Sequence, residues 1–428
     1  MHAYAQGAHR KHLLVLSPEC YGFDNIEYWG GMGQVAYNVS RRLGDGLNVF
    51  LFSRTNQDSP VVYKPSENFT VVGIKPQPFS GGRQEWYACA PRGDCWKAAD
   101  HWACVRNFIS GEGKDLGIDL DDAVAWYHDW FGAFPLLDLA ERGVKGALTY
   151  HMSHRRTSED IAQDARLGLE RLAADYIKSN HSVATAVSGC QKRVVGSAYG
   201  LPDNKLVVIP NGVDTDTFSP EAAGNAGVLE KYGIRKPYIL FSGRPVPEKR
   251  PEKLLEAMPH ILEQEPDMNV LFMFLGAPEG NGNQHFWEVY DSELCNGFRD
   301  RVIFTRNRDG SVGCYIPDDE RAAVYSNAVL GVFPSDPDIA PEAFGLISPE
   351  IQACGKPSVV GRGTGLEETI EHGVTGFAVN PKDPREIAGA ALACMNTPGM
   401  GQSARKLMED RFSWDIISGR YEGLFRSL

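Results

Sequence analysis

Short apolar strands alternate with amphipathic helices along this chain, and the alternation begins afresh halfway. In the first half, apolar runs at residues 12–17 and 47–53 flank a segment, 34–43, whose apolar side chains recur at helical spacing. The second half restarts with apolar runs at 238–242 and 270–275. Strands that alternate with helices indicate a parallel sheet covered on both faces. The sequence therefore predicts an α/β chain with two doubly wound sheets.

The other predicted strands and helices continue the alternation in both halves of the chain. Further strands are predicted at residues 122–127, 146–150, 183–187, 205–209, 302–305, 328–334 and 358–360, and further helices at 134–142, 158–180 and 251–264. Pro259 lies inside the last of these helices and predicts a kink or a split, because proline has no N–H. Two such sheets facing each other create a cleft at the carboxyl ends of their strands, where ligands bind.

Residues 58–116 break the alternation. They are rich in proline and glycine and crowd tryptophan and cysteine side chains together, so we interpret them as an insertion with a short sheet and a helix. The insertion either shapes a substrate pocket or only packs locally. The length of 428 residues favours two domains. Because proline, glycine and alanine accumulate at 214–230, we place the domains at 1–215 and 216–408, with a final helix at 409–428.

The composition and the net charge indicate which kinds of binding partner do not suit this protein, nucleic acid above all. Hydrophobic residues make up 43% and charged residues 23% of the chain, as in ordinary globular proteins. The net charge of −12 argues against nucleic acid as a main partner and weakens docking on an anionic membrane. The apolar run at residues 13–16 has the length of a strand, not of a signal segment or a membrane span. We expect a cytoplasmic protein without integral membrane contact; nothing indicates its oligomeric state.

The nine cysteines are an odd number and are scattered. Cys89, Cys95 and Cys104 lie close together in sequence with His101 between them, which leaves a zinc site open. Their spacing matches no common ligand pattern, so reduced and mostly buried thiols are favoured.

The strongest chemical signal is the stretch PEAFGLISPEIQACGKP at residues 341–357. Ser348 is a good helix N-cap, and Pro349 suits the first helical position, so Glu350 is expected in the first turn of a helix. Gly355 can end that helix. A carboxylate in the first turn lies near the positive end of the helix dipole.

Upstream of this helix, Glu342 precedes a short loop, Phe344, Gly345 and Leu346. The backbone N–H groups of such a loop can form a nest for an anionic diphosphate. The two carboxylates of Glu342 and Glu350 can then accept hydrogen bonds from sugar hydroxyls. Taken alone, two glutamates at this spacing would be more typical of a capped surface helix.

In this setting the pair resembles the Glu–seven residues–Glu motif of the retaining glycosyltransferases of family 4, which have the two-domain GT-B fold. The stretch SGRPVPEKR at 242–250 is similar to a second family segment, and the resemblance implies that Arg244 and Lys249 bind the donor diphosphate. Further similar stretches are VIPNGVD at 208–214, GTGLEETIEHGVTGF at 363–377 and FSW at 412–414, which opens a tail that returns to the N-terminal domain.

The resemblance also assigns roles in the first half, the acceptor side. WGGMGQ at 29–34 is similar to a glycine loop that faces the donor, which implicates Gly31 and Gly33. His151 follows a strand at a position where the family has a histidine against the transferred sugar, and His154 is a nearby alternative. His128 and Asp129 either line the acceptor side or form a buried hydrogen-bonded pair.

No catalytic metal and no cofactor are expected. Asp214 with Asp216, and Asp336 with Asp338, mimic the metal-binding DxD motif of another glycosyltransferase fold, but Arg244, Lys249 and helix N-termini supply the positive charge here. The implied donor is a nucleoside diphosphate sugar that the second domain holds, with UDP favoured over GDP. In the implied roles, Glu342 holds sugar hydroxyls and Glu350 holds the ribose.

The resemblance implies transfer of the sugar, with retention, to a hydroxyl of a small acceptor such as a sugar, an aminocyclitol or a natural product. A glucan synthase of the glycogen and starch type is an alternative, although Tyr28 stands where that type has lysine. A nucleotide-sugar epimerase, a pyridoxal-phosphate phosphorylase and a non-catalytic sugar-binding module also stay open. Analysis of the products would identify an epimerase, and the absorbance of a bound cofactor would identify a phosphorylase. A binding module would bind the donor without turnover.

Overall fold

A computed structural model of the chain describes residues 10–19, 31–44, 46–55, 57–75, 96–152, 165–275, 284–305 and 316–428. The chain divides into two compact units. The first comprises Met1–Pro210 with Trp414–Leu428, and the second Asn211–Ser413. Strands and helices are numbered below along the whole chain.

The first unit contains one eight-stranded sheet. Its strands are β1 Lys11–Leu16, β2 Leu47–Arg54, β3 Val61–Ser66, β4 Phe69–Ile74, β5 Ala123–His128, β6 Lys145–Tyr150, β7 Val183–Ala186 and β8 Leu206–Val208. The strand order is β3-β4-β2-β1-β5-β6-β7-β8, and every described pair is parallel except β3 with β4. The chain builds outward from β1 and then crosses over to β5. The boundary between β1 and β5 is therefore the topological switch point, where doubly wound sheets bind ligands.

Helices cover both faces of this sheet. They are α1 Gly31–Ser40, α2 Trp96–Ser110, α3 Ala133–Glu141, α4 Ala165–Ser179, α5 Gly189–Tyr199 and α14 Trp414–Ser427. Side chains alternate along β1, so Leu13 and Val15 pack with α1 and α14 in one core. Leu14 and Leu16 face the opposite core, which α2 to α5 cover. A strand buried on both sides must be apolar at nearly every position, which is why β1 could be predicted.

The second unit contains a six-stranded, wholly parallel sheet. Its strands are β9 Tyr238–Gly243, β10 Asn269–Phe274, β11 Val302–Phe304, β12 Leu330–Phe333, β13 Ser358–Gly361 and β14 Gly376–Val379. The strand order is β11-β10-β9-β12-β13-β14, so the switch point lies between β9 and β12. The helices are α6 Ala226–Lys231, α7 Pro251–Leu262, α8 Gln284–Asp291, α9 Glu293–Asn296, α10 Asp318–Asn327, α11 Ile347–Ala353, α12 Pro384–Met395 and α13 Met400–Leu407.

Eleven predicted strands are confirmed to within two residues at each end. The prediction for residues 58–116 was partly wrong. β3 and β4 extend the main sheet, with β4 parallel to β2, and do not form a separate short sheet. The run FTVVGI of β4 is buried throughout, but its proline- and glycine-rich surroundings concealed it. The predicted helix in this segment is confirmed as α2; residues 76–95 lie outside the described residues.

A helix break that is absent and a short strand that was missed also differ from the sequence analysis. Pro259 does not split its helix, since α7 continues unbroken to Leu262. The missing N–H of the proline removes a single backbone bond, the one to the carbonyl of Leu255, and this does not end the helix. The strand β14 was not predicted at all, because its four residues include a glycine and are too few to show a clear alternation.

Candidate functional site

Two loops leave the carboxyl ends of β9 and β12, the neighbouring strands at the switch point of the second sheet. The loop after β9 contains Arg244 and Lys249, and the loop after β12 contains Glu342. Lys249 forms an ion pair with Glu342, and the two side chains are only 19% and 20% exposed. The structure thus brings together two predicted site residues whose contact the sequence did not predict.

Arg244 stands beside this pair and is open to solvent. Its side chain is 62% exposed, and its guanidinium lies 3.9 Å from the carboxylate of Glu248. Burial lowers the pKa of Lys249 to about 8; the nearby charge of Arg244 acts in the same direction and Glu248 opposes it. An anionic ligand would stabilise the two neighbouring cations, Lys249 and Arg244.

The same loop is held by an arginine that the sequence analysis did not identify. Arg250 has a left-handed backbone with φ of 48°, which is uncommon for a residue with a side chain. Its Nε and Nη2 donate to Oδ2 of Asp336 at 3.1 and 2.8 Å, and the Asp336 side chain is fully buried. The N–H of Asp336 in turn donates to the carbonyl of Glu248 at 2.8 Å. The loops after β9 and β12 are therefore bonded to each other next to Lys249.

The predicted nest, Phe344, Gly345 and Leu346, follows Glu342. Gly345 has φ of 75°, and a Cβ there would come within 2.5 Å of the side chain of Leu366, so only glycine fits without rearrangement. Within the described part of the chain, none of the three N–H groups donates to a backbone carbonyl outside the helices. A nest that binds an anion requires N–H groups without such backbone partners.

The predicted capping of the next helix was wrong, although Glu350 does lie in its first turn. α11 begins at Ile347, and Leu346 takes the N-cap position without a side-chain bond. The Ser348 hydroxyl is instead 2.9 Å from that of Thr369, in the core. Gly355, with φ of 74°, follows the end of the helix as predicted. Ser348 is a good cap by type, but its inward position gave it a different partner.

Glu350 is 5% exposed, and Arg321 of α10 holds it. Nη2 of Arg321 donates to Oε1 of Glu350 at 3.2 Å and to Asp318 at 2.8 Å. Oε2 of Glu350 is buried and has no hydrogen-bond partner among the described residues. Burial raises the pKa of Glu350 to about 7, and Arg321 limits the rise. No sequence signal pointed to Arg321, which lies 29 positions away on another helix.

In the first unit, the predicted residues gather where β5 and β6 end. β5 ends at His128 beside the switch point, and His151 directly follows β6. Nδ1 of His128 is 2.8 Å from Nε2 of His151, and the rings are stacked with centroids 5.1 Å apart. His128 is completely buried. The buried pair of His128 with Asp129 that the sequence left open is not formed among the described residues, where His128 is hydrogen-bonded to His151 instead.

Asp129 supports the same cluster through the backbone. Its Oδ1 accepts the N–H of His151 at 2.6 Å, and its own backbone is left-handed with φ of 46°. Burial raises the pKa of Asp129 to about 7, while hydrogen bonds from the N–H groups of His151 and Met152 oppose the rise. Asp129 thus fixes the chain at the point where His151 leaves the strand. His154, the alternative to His151, lies outside the described residues.

Gly31 and Gly33 lie at the start of α1, which follows β1 at the switch point. The N–H of Gly33 donates to Oε2 of Glu19 at 3.2 Å. A Cβ on Gly33 would stand 2.9 Å from the carbonyl oxygen of Glu19, so the two segments approach closely. A carboxylate is therefore already bonded to one N–H of the loop that, by the resemblance, faces the donor. Trp29 and Gly30 lie outside the described residues.

The remaining candidates have other partners. Asp214 accepts the N–H groups of Asp216 and Thr217 in a turn, and Asp338 pairs with Lys382. Cys104 is a free thiol, and Cys89 and Cys95 lie outside the described residues. Among residues that the structure describes, no three histidine, cysteine or acidic side chains cluster as metal ligands would. None of the described helices has the length and apolarity to cross a bilayer.

Two family models match separate segments of the chain. "Glycosyltransferase Family 4" matches residues 29–217, and "Glycosyl transferases group 1" matches residues 236–397. The first covers both histidines of the cluster in the first unit. The second covers Arg244, Lys249, Glu342 and Glu350.

Curated relatives are similar over most of the chain. A D-inositol 3-phosphate glycosyltransferase of Geodermatophilus obscurus is 27% identical over 406 residues, which is 90% of this chain and 82% of the relative. A GDP-mannose-dependent alpha-(1-6)-phosphatidylinositol monomannoside mannosyltransferase of Mycolicibacterium smegmatis is 29% identical over 313 residues, 68% of this chain and 76% of the relative.

Solved structures share the fold. Sucrose-phosphate synthase from Thermosynechococcus elongatus superposes with a TM-score of 0.71 at 20% identity, covering 98% of this chain and 99% of the other. Anabaena HepE in complex with UDP and glucose gives 0.65 at 17% identity, covering 98% and 100%. With both halves matched by glycosyltransferase family models, and with two doubly wound sheets whose predicted residues lie at the switch points, the chain belongs to the family 4-like glycosyltransferases of the GT-B fold.

Proposed function

We propose that this glycosyltransferase moves a sugar from a nucleoside diphosphate sugar to a hydroxyl of a small acceptor, with retention and without a metal. The observation that carries the proposal is the group at the switch point of the second unit. There Lys249 and Arg244 stand close together, beside a nest of N–H groups and a buried glutamate whose Oε2 has no partner among the described residues. These features suit the diphosphate and the ribose of one ligand.

The cations would stabilise the leaving group. As the bond between the anomeric carbon and the diphosphate oxygen breaks, negative charge grows on that oxygen, where a lysine and an arginine act most strongly. The acceptor oxygen forms the new bond to the same face of the carbon. Its proton passes to the departing diphosphate oxygen, so no further base is required.

The ion pair of Lys249 and Glu342 allows a bound diphosphate to replace the carboxylate at the lysine. A diphosphate that binds Lys249 competes with the carboxylate of Glu342, because both are anions and the lysine is a single point charge. Glu342 released in this way can accept hydrogen bonds from sugar hydroxyls. The transferred sugar and the diphosphate would then be bound together or not at all.

Glu350 fits the ribose. Its Oε1 is taken by Arg321, while its buried Oε2 has an unused acceptor position among the described residues. A buried carboxylate oxygen without a donor is costly, and a ribose hydroxyl would satisfy it. In the first unit, we propose His151 for the transferred sugar, Gly31 and Gly33 for the donor, and Asp129 for the acceptor side, while the buried His128 acts there through its hydrogen bond to His151.

The names of the relatives support a small cyclitol or sugar as the acceptor, since one relative is named for inositol 3-phosphate. For the base, one relative is named as dependent on GDP-mannose, and a structural neighbour was solved with UDP. We favour UDP over GDP. A cytoplasmic location stays a prediction from the sequence.

Calorimetry with UDP, GDP, ADP and dTDP, with EDTA present, tests the proposal. We expect one nucleotide to bind the native chain, and to bind more weakly to Arg244→Ala and Glu350→Gln. Arg411→Ala is the matched control, since its side chain is 60% exposed and also forms one ion pair, with Glu371. It should bind like the native chain. No binding of any nucleotide by the folded protein would refute the donor site.

The nucleotide identified in this way then defines the donor for an acceptor screen. NMR of the anomeric proton in the product decides whether configuration is retained. A free altered sugar formed without any acceptor would replace the transferase by an epimerase. Activity abolished by EDTA would overturn the metal-independent mechanism.

A further inference from the structure

The contact between His128 and His151 also determines which nitrogen of each ring carries a hydrogen. Nδ1 of His128 and Nε2 of His151 are 2.8 Å apart, so one hydrogen lies between them. Which ring supplies that hydrogen decides the tautomer of both. It therefore also decides whether His151 presents a donor or an acceptor on its other nitrogen.

Neither ring is charged near neutral pH. Burial lowers the pKa of His128 well below its ordinary value, and His151 adds to the effect. Burial also lowers the pKa of His151 to about 3. The carboxyl group in this cluster belongs to Asp129, and its Oδ1 is bonded to the backbone N–H of His151. Each imidazole consequently has one N–H and one bare nitrogen.

The surroundings of His128 indicate which of the two rings supplies the shared hydrogen. Its Nε2 is buried and has no hydrogen-bond partner among the described residues. The neighbouring indole of Trp126, 4.4 Å away between centroids, uses its own N–H on Thr149 at 2.7 Å. If His151 donated the shared hydrogen, His128 would carry its hydrogen on Nε2, as a buried N–H to which no described oxygen or nitrogen is bonded. Buried N–H groups without an acceptor are rarer than bare acceptors.

We propose that His128 is a positioning residue whose Nδ1–H donates to Nε2 of His151, and that His151 therefore carries its own hydrogen on Nδ1. His151 then meets its ligand as a hydrogen-bond donor and not as a base. The ligand atom opposite must be an acceptor, such as a hydroxyl oxygen of the transferred sugar. The tautomer assignment stands alone; its consequence for catalysis rests on the proposed function.

The wild-type tautomer can be measured directly. Full-length protein labelled with ¹⁵N in its histidines would be studied by NMR, with the His151 signals identified by their loss in His151→Gln. We expect a protonated Nδ1 and a bare Nε2 for His151, and the same for His128. A hydrogen on Nε2 of His151, or a doubly protonated ring, overturns the proposal.

Two variants of His128 test the consequence. The amide of Asn can place an N–H where Nδ1 stood, whereas Leu of similar size cannot. We expect His128→Leu to lower kcat about tenfold, the effect of one hydrogen bond, with KM for the donor unchanged. His128→Asn should recover most of that loss. Equal losses in both variants, each checked for native melting behaviour, would mean that His128 only fills space, and the positioning role would be rejected.

This pair of experiments separates the two proposals. If no nucleotide binds but NMR finds hydrogen on Nδ1 of His151, the proposed function fails and the tautomer assignment stands. If nucleotide binding and sugar transfer are normal but the hydrogen lies on Nε2, only the present inference fails.

Discussion

The two switch points have the same topology but opposite chemistry. In the second unit, the loops after β9 and β12 hold paired charges: Lys249 with Glu342, and Arg250 with Asp336. In the first unit, β5 ends at a histidine that burial keeps neutral through a lowered pKa, and it is bonded to a second neutral histidine. A doubly wound sheet fixes where a ligand binds, and the loops decide what kind of ligand it is.

This difference has a physical consequence. Charged groups at the edge of the second sheet can compensate the charge of a diphosphate, and their contribution should be large and concentrated in a few residues. The neutral imidazole of His151 and a backbone-bonded aspartate offer directional hydrogen bonds to uncharged hydroxyls, each of modest strength. Substitutions in the second unit should accordingly cost more than substitutions in the first.

The largest effect is expected at Lys249. Lys249→Met removes the buried cation while keeping much of the side-chain volume, and should lower the rate of sugar transfer by about 10²–10³-fold. Lys253→Met is a matched control, because Lys253 is 18% exposed and pairs with Glu256 on α7. Transfer rates measured with the identified donor should differ widely between the two variants. Similar rates would remove the charge-based account of the second unit.

A stability effect comes next, at Asp336. Asp336→Asn removes the buried carboxylate that accepts two hydrogen bonds from Arg250 and weakens the bond between the two loops, while the buried Glu252 still stands 3.6 Å from the guanidinium. We expect the free energy of unfolding of the second unit to fall by about 2 kcal/mol, below the cost for a fully buried pair because Arg250 is 23% exposed. Urea unfolding measures it. Asp338→Asn, at a side chain that is 66% exposed, should change it by less than about 0.5 kcal/mol.

The sequence could predict several members of these ion pairs but not the pairs themselves. Strands buried on both faces are visible as apolar runs, and Glu342, Glu350 and Lys249 stand in recognisable motifs. Arg250 and Asp336 are 86 positions apart, and no local pattern joins them. Their contact depends on β9 and β12 being neighbours, which follows from the strand order of the folded sheet and not from either segment.

The histidine pair shows the same limit in the first unit. Each residue directly follows a predicted strand, and the resemblance singles out His151 in addition. Their bond depends on the parallel register of β5 and β6, in which His128 lies opposite Thr149. A shift of one residue would turn one ring to the other face of the sheet. The sequence could therefore predict the members of the site but not their partners.

The smallest effect concerns pH, and it tests whether Glu350 acts as a carboxylate. A ribose hydroxyl donates best to an ionised Glu350, whose pKa burial raises to about 7. At that pKa about a tenth of the groups are ionised at pH 6 and about nine-tenths at pH 8, so nucleotide affinity should rise about tenfold over this range. Glu350→Gln cannot titrate, and it reports the pH dependence that belongs to the nucleotide phosphate itself. The difference between the two proteins is the expected signal.

The same titration must appear, with opposite sign, in stability. The unfolded glutamate loses its proton near the ordinary glutamate pKa of 4.5, whereas the folded one keeps it until about 7. Between these values the folded state binds more protons, so the free energy of unfolding should fall as pH rises, relative to Glu350→Gln. Because Arg321 lowers the pKa of Glu350, Arg321→Gln should move both the affinity step and this fall to higher pH. Parallel affinity curves for the native chain and Glu350→Gln would show that Glu350 does not change its charge between pH 6 and pH 8, and the pH dependence assigned to the second switch point would be wrong.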